Sequence, residues 1–297
     1  MSSTSISAST HGSLQASLIL VATPIGNLGD MSPRSIEVLR AADAIACEDT
    51  RHTRKLLSAM AIAGKRLLAV HEHNEHNAAD GIVELLRRGQ TVALVTDAGM
   101  PAVSDPGERV VAAVVAAGFD VSCVPGPSAA LTALAISGLA TQRFYFEGFL
   151  AVKGVDRATR IAAVAVMPDT VILFESPHRL LRTLTDLANA CGADRLVSVS
   201  RELTKKFEQT QRGAVGELLV DMGLADAPEP RGEYVIVMAG RPAEAAPTEA
   251  LTDDHLLGLL DAEKARGART KEAVDLVVAA TGIQRRRIYA LAVAPRA

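Results

Sequence analysis

The chain has 297 residues, more than one ordinary domain of ~100–200 residues needs. Hydrophobic residues at 48% and charged residues at 22% exclude a disordered or collagen-like polymer. Aromatics are only 3% with no Trp, so the core must rest on Ala, Val, Leu and Ile, and aromatic stacking platforms for single-stranded nucleic acid are not expected.

The net charge of -3 argues against a globally basic nucleic-acid wrapper, but the average hides a local patch. From Lys264 to the C-terminus eight cations face two carboxylates, a local +6 that leaves -9 for the rest. Cys47, Cys123 and Cys191 are far apart without CxxC spacing, which suits a reducing compartment. Residues 1–17 are Ser/Thr-rich without a basic or long apolar region, and read as a disordered leader. The longest uncharged run, 121–142, is broken by Pro125, Gly126, Pro127 and Gly138, unlike a membrane span of ~20 residues. A cytoplasmic protein is expected.

Short β-branched runs at 18–22, 44–47, 67–70, 92–96 and 121–124 alternate with Ala/Leu/Val helical patterns, which predicts an α/β domain over 18–140 with largely parallel strands. A second series, with strands at 144–147, 171–174, 196–201 and 234–239 and helices at 157–166 and 179–190, predicts another α/β domain over 141–240. Residues 241–297 read as a linker, Arg241 to Pro247, followed by helical patterns at 253–261 and 270–280 and a basic helix from Gln284. This last outline fits a helix-turn-helix or a plain helical cap equally well.

In an open α/β sheet, ligands lie at the carboxyl ends of strands. Asp97 to Gly107 follows the strand at 92–96, and Asp105, Pro106 and Glu108 have the pattern of a capping box. Capping leaves Asp97, Gly99 and Pro101 unexplained, which favours a ligand loop. Ser128 after Pro125-Gly-Pro is an N-cap for a helix at 129–137. The loop Thr23 to Asp30 lacks dinucleotide glycine spacing, and Gly64-Lys65-Arg66 is no Walker A motif. His71, His73 and His76 with Glu72 and Glu75 lack HExxH spacing and read as a polar loop lining a cleft rather than a metal site. Ser176 and Pro177 open a helix whose first turn displays His178 and Arg179; cations placed against the dipole there point to phosphate.

Thr23-Pro-Ile-Gly-Asn-Leu28, Glu48-Asp-Thr-Arg51, His71-x-His-Asn-Glu75, Asp97-Ala-Gly-x-Pro101 with Ser104-Asp-Pro-Gly107, Pro125-Gly-Pro-Ser128, Ser176-Pro-His-Arg179, Arg201-Glu-Leu-Thr-Lys205 and Gly232-Glu-Tyr-Val235 together resemble one family. It is the bacterial ribosomal RNA small subunit methyltransferase I family, cytidine 2'-O-ribose methyltransferases of the tetrapyrrole methylase superfamily. The match runs in order from about Leu18 to Gly240 and more loosely beyond. Met100 stands where the family usually has Thr, and Ala151 where it usually has Pro.

The resemblance implies two consecutive α/β domains of tetrapyrrole-methylase type, with S-adenosylmethionine in the cleft between them and no metal. It implies 2'-O-methylation of a decoding-region cytidine in 16S ribosomal RNA of the small subunit, and a homodimer. It places the donor beside Pro24, Asp97, Gly99, Met100, Val103, Ser104, Asp105, Ser128 and Ala129. A ribose hydroxyl needs a group to take its proton, and Glu175, Glu202 and Lys205 are the candidates. His178 and Arg179 are expected to hold flanking phosphates with support from Arg201, while Arg285, Arg286 and Arg287 supply non-specific RNA affinity. The rival expectations are a tetrapyrrole methylase, an RNA-binding assembly factor without chemistry, and a nicotinamide-dependent oxidoreductase, which would need the absent glycine fingerprint.

Overall fold

A computed structural model describes residues 17–71, 73–223, 232–242 and 252–294. The expected leader lies outside these residues except Ser17, and so do Glu72, Arg296 and most of the expected linker. The chain divides into two units, Met1–Gly240 and Arg241–Ala297.

In the first unit, β1 (Ser17–Val21), α1 (Pro33–Ala41), β2 (Ala44–Cys47), α2 (Thr50–Ala59), β3 (Arg66–Ala69), α3 (Glu75–Arg87), β4 (Val92–Leu94), α4 (Glu108–Ala116), β5 (Asp120–Val124) and α5 (Ala129–Ile136) alternate along the chain. The strands form one sheet in the order β3-β2-β4-β1-β5, and every neighbouring pair is parallel. Side chains alternate between faces. Leu18, Ala44, Ala46, Val92 and Leu94 pack with Ile82, Leu86, Val110 and Val114 of α3 and α4. Ile19, Val21, Ile45, Cys47 and Ala93 pack on the other side with Leu39 and Leu57 of α1 and α2. Burial on both faces is why these strands read as unbroken apolar runs. Five parallel strands also bring every following loop to one sheet edge.

The second half contains β6 (Phe144–Phe149), α6 (Val155–Val166), β7 (Thr170–Glu175), α7 (Leu180–Cys191), β8 (Leu196–Arg201), β9 (Gln209–Ala214), α8 (Val215–Gly223) and β10 (Tyr234–Met238). The strand order is β6-β7-β10-β8-β9; only β6 and β7 are parallel, while β10 runs antiparallel to β7 and β8, and β8 to β9. The strand β9 carries no alternating apolar signal in Gln-Thr-Gln-Arg-Gly-Ala; it is an edge strand held by its ladder to β8. One face of this sheet packs on α6, α7 and α8. Its other face, through Ile172, Val235 and Val237, packs against Ala133 and Leu134 of α5 and against Ile25. The two sheets therefore share an apolar layer.

The second unit holds α9 (Asp253–Ala265), α10 (Thr270–Thr281) and α11 (Arg285–Val293) around Leu256, Leu260, Val274, Val277 and Ile288. The helix α10 ends at Gly282, whose φ of 66° is the left-handed cap that glycine favours. Among the described residues, no helix is long and apolar enough to cross a membrane.

Candidate active site

The loops at the carboxyl edge of the first sheet are tied together. Thr23 N–H donates to the Gly99 carbonyl at 2.9 Å, and Gly99 N–H returns the bond to Thr23 at 3.1 Å. Thr23 Oγ1 donates to the Thr96 carbonyl at 3.1 Å, and Asp49 N–H donates to Asp97 Oδ1 at 3.2 Å. Ala102 and Ser104 adopt φ of 66° and 62°, sparsely populated conformations that persist only where the surroundings enforce them.

The helix α4 starts at Glu108 with no side-chain cap of its own, which corrects the capping box expected from Asp105 and Glu108. Buried Glu75 of α3 does the capping instead. Its Oε1 accepts from Gly107 N–H at 2.8 Å and from Arg109 N–H at 2.9 Å, satisfying orphan donors and complementing the positive end of the helix dipole. Asp105 is thereby free to face a cavity. Ser128 caps α5 as expected, accepting from Leu131 N–H at 3.5 Å.

A cavity of about 410 Å³ opens at this edge, a size suited to a small-molecule ligand. Its lining includes Asp97, Gly99, Met100, Val103, Ser104, Asp105, Ser128, Ala129 and Glu175 from the expected residues. Pro24 is not in the lining, but its neighbour Ile25 is. From the sequence no site role is expected for Ala130, Phe149 or Phe174, nor for Glu48, Ser176, Pro177, Leu203, Glu233, Tyr234 and Val235, which stand there within the motifs of the resemblance.

Glu48, Asp97 and Asp105 give one part of the cavity negative charge. Burial, then the charge of Glu48 and, more weakly, that of Asp97, push the Asp105 carboxyl up to about 6 against an opposing hydrogen bond from Thr96. An apolar wall with clustered carboxylates fits a donor that joins an adenosine to a cationic sulfonium. Among the described residues, no group of His, Cys, Asp or Glu is arranged to hold a metal; His71, His73 and His76 are all exposed.

Glu175 is 2% exposed and lacks a free oxygen. Oε1 accepts from Ser176 N–H at 2.7 Å and pairs with Arg179 Nε at 3.1 Å, while Oε2 accepts from Thr183 Oγ1 at 2.6 Å. Arg179 also donates to the Leu150 carbonyl. Glu175, expected as a proton acceptor, and Arg179, expected at a phosphate, are thus tied to one another and to the surrounding wall. The exposed His178 remains available at the 3₁₀ turn Pro177–Arg179.

Lys205 Nζ lies 2.9 Å from both Glu202 Oε1 and Glu233 Oε2. Burial alone would lower the Lys205 ammonium, but hydrogen bonds and charges from Glu233 and Glu202 outweigh it and raise it. Burial alone would raise Glu202; its bonds to Lys205 and to Glu233 N–H, with the charges of Lys205 and Arg201, hold it lower. Lys205 is thus kept a cation and Glu202 an anion at neutral pH. The Lys205 stem crosses Gly26, where an added Cβ would lie 2.3 Å from Cγ. Arg201 is half-buried, and its Nε has no hydrogen bond among the described residues.

In the second unit, Arg285 pairs with Asp275 at 2.8 Å and Arg287 with Asp253 at 2.7 Å. Both pairs are solvent-exposed and hence weakly held. Exposed Arg286 has no ion pair among the described residues.

Residues 17–219 match the family model described as Tetrapyrrole (Corrin/Porphyrin) Methylases. A curated Synechocystis protein named Ribosomal RNA small subunit methyltransferase I is 43% identical over 92% of this chain and 96% of its own. A protein of the same name from Escherichia coli O157:H7 is 42% identical over 93% of this chain and 94% of its own. The uroporphyrin-III-C-methyltransferase structure from Thermus thermophilus shares the fold at a TM-score of 0.53 with 21% identity, covering 76% of this chain and 94% of that one. The chain therefore belongs to the tetrapyrrole methylase family, among the members named ribosomal RNA small subunit methyltransferase I.

Proposed function

We propose that the chain transfers a methyl group from S-adenosylmethionine to the ribose 2'-hydroxyl of a decoding-region cytidine in 16S ribosomal RNA, acting on the small subunit in the cytoplasm. The observation that carries this reading is coverage. The ribosomal RNA methyltransferases match this chain over 92–93% of its length, whereas the porphyrin methyltransferase structure is itself almost wholly matched and leaves about a quarter of this chain over. A macrocycle pocket would also have little use for the charged rim around Lys205 or for the basic helix α11.

S-adenosylmethionine, when bound, supplies an electrophilic methyl group on a sulfonium that needs no further activation. Glu48, Asp97 and Asp105 orient its cationic part, while Ile25, Ala129, Ala130 and Val235 exclude water. Positioning of this kind is worth ~7–11 kcal/mol in favourable systems. His178 and Lys205 hold the flanking phosphates, and Arg201 supports them. The hydroxyl proton passes to Glu202 Oε2, the oxygen that Lys205 leaves open. That proton becomes strongly acidic as the new C–O bond forms, so a carboxylate with a lowered pKa suffices. Glu175 and Arg179 shape the wall.

The helix α11 adds sequence-independent affinity through Arg285, Arg286 and Arg287. The active form is a homodimer, which sedimentation at working concentration would establish. Transfer of labelled methyl to unmethylated small subunits, with the product located by its resistance to alkaline cleavage, tests the activity itself.

A further inference from the structure

The chain is poor in aromatic residues, with six Phe, three Tyr and no Trp. Three of the six Phe nevertheless form a row, and two of them, Phe149 and Phe174, line the cavity. Phe174 sits between Phe146, with ring centres 5.1 Å apart, and Phe149, at 5.5 Å, both in edge-to-face contact. Phe146 and Phe174 are half-buried, but Phe149 is 56% exposed and lines the cavity. An edge-to-face contact covers at most one face of a ring, so at least one face of Phe149 is left unstacked by Phe174.

The backbone on either side of this exposed ring is firmly held. A bulge interrupts the β6–β7 register between Phe146 and Gly148. Gly148 has φ of 70°, and a Cβ there would lie 2.9 Å from Ser104 Oγ. On the other side, Arg179 holds the Leu150 carbonyl and Arg157 holds that of Ala151 at 3.1 Å. Arg157 is itself buried and fixed by Asp186 and Thr183. A large apolar ring kept in water on a rigid support is a preorganised contact for a flat, unsaturated partner.

We propose that Phe149 is the stacking platform for the pyrimidine base of the target nucleotide. The inference rests on RNA being the substrate and extends that reading to base recognition. An enzyme that modifies one nucleotide draws it out of its stack, and an aromatic side chain replaces the lost neighbour. The donor's adenosine is a poorer candidate for this ring, because a buried small molecule needs an enclosed wall, and Ile25, Ala130 and Val235 supply one deeper in the cavity. Lys205 pairs with Glu233 and His178 follows Pro177, both of which line the cavity, so cations for the phosphates on either side of an extruded base stand next to it.

The test compares wild type with F149A, F149L and F149Y, all checked for folding by thermal melting. Donor affinity is measured by calorimetry, and KM by methyl transfer to unmethylated small subunits. Loss of base stacking costs affinity by about five- to hundredfold, so F149A and F149L should raise KM by that factor with donor Kd within about twofold, and F149Y should restore wild-type behaviour. Full function in F149L would overturn the proposal, since the position would then need bulk and not a π-face. Donor affinity weakened in parallel with KM would overturn it too, making Phe149 part of the donor wall. Absence of transfer by the wild type itself would instead refute the RNA methyltransferase reading.

Discussion

Glu75 and Gly107, 32 residues apart, are joined by a hydrogen bond of 2.8 Å in which the buried carboxylate caps a helix it does not belong to. The bond fixes the C-terminal end of the Asp97–Asp105 loop from outside. Losing a buried acceptor costs about 1–3 kcal/mol, so Glu75→Ala should melt several degrees lower and bind S-adenosylmethionine more weakly. Glu75→Gln keeps an acceptor oxygen and should recover most of both. Equal donor affinity in wild type and Glu75→Ala would show that the loop holds its shape unaided.

Asp105 gives a pH dependence with a defined sign. Its carboxyl is held up to about 6 in the folded chain, so the folded state binds its proton more readily than the unfolded state does. That contribution to stability is therefore full below pH ~4 and lost as pH rises through about 6. A cationic donor prefers the ionised form, so its Kd should tighten as pH rises toward about 6 and level off above. Asp105→Asn should flatten the profile between pH 5 and 8 in calorimetric titration.

Glu202 and Lys205 separate proton acceptance from RNA binding. Glu202→Gln should lower turnover by about 10²-fold or more while donor Kd stays unchanged. Lys205→Met should raise KM for the small subunit. Gly26→Ala, which pushes on the Lys205 stem, should reproduce a milder form of the Lys205 defect. Rapid-quench turnover beside equilibrium donor binding distinguishes the three.

The role assigned to Glu175 is structural. Removing one member of a buried charged network is strongly destabilising, by about 3–5 kcal/mol, so Glu175→Ala should lose stability as well as activity. A variant with wild-type melting but no turnover would return Glu175 to the chemistry.

The C-terminal arginines should act through salt. Each phosphate contact removed lowers the slope of log K against log salt by about 0.7–0.9, so Arg286→Ala should shift it by that amount at most. Truncation after Gly240 should lower it further, as filter binding across a salt series would reveal.

The alternation of strands and helices was legible because buried strands such as β1, β2 and β4 of the parallel sheet are short apolar runs, and β7 and β10 of the mixed sheet read the same way. The strand β9 does not, because Gln-Thr-Gln-Arg-Gly-Ala has no apolar run and it is held by its ladder to β8. In the site, the glycine- and aspartate-bearing loops were readable because a parallel sheet gathers them at one edge. The opposite wall was not: Phe174, Tyr234 and Val235 lie in strands that look like ordinary core until the mixed sheet turns their ends toward the cavity. Glu75, read as part of a polar loop, was misread for a related reason, and the engagement of Arg179 with Glu175 was equally out of sight. A charge beside a helix start is seen from sequence, but the partner that claims it, Gly107 or Glu175, is settled only by the packing of distinct elements.

The central claim is most directly tested by incubating the protein with small ribosomal subunits that lack the modification and with labelled S-adenosylmethionine, then mapping alkali-resistant linkages in the 16S RNA. A single protected cytidine in the decoding region, carrying the label, is the expected result. Donor binding without any labelled or protected nucleotide would contradict the account and move the chain toward the small-molecule methylases whose fold it shares.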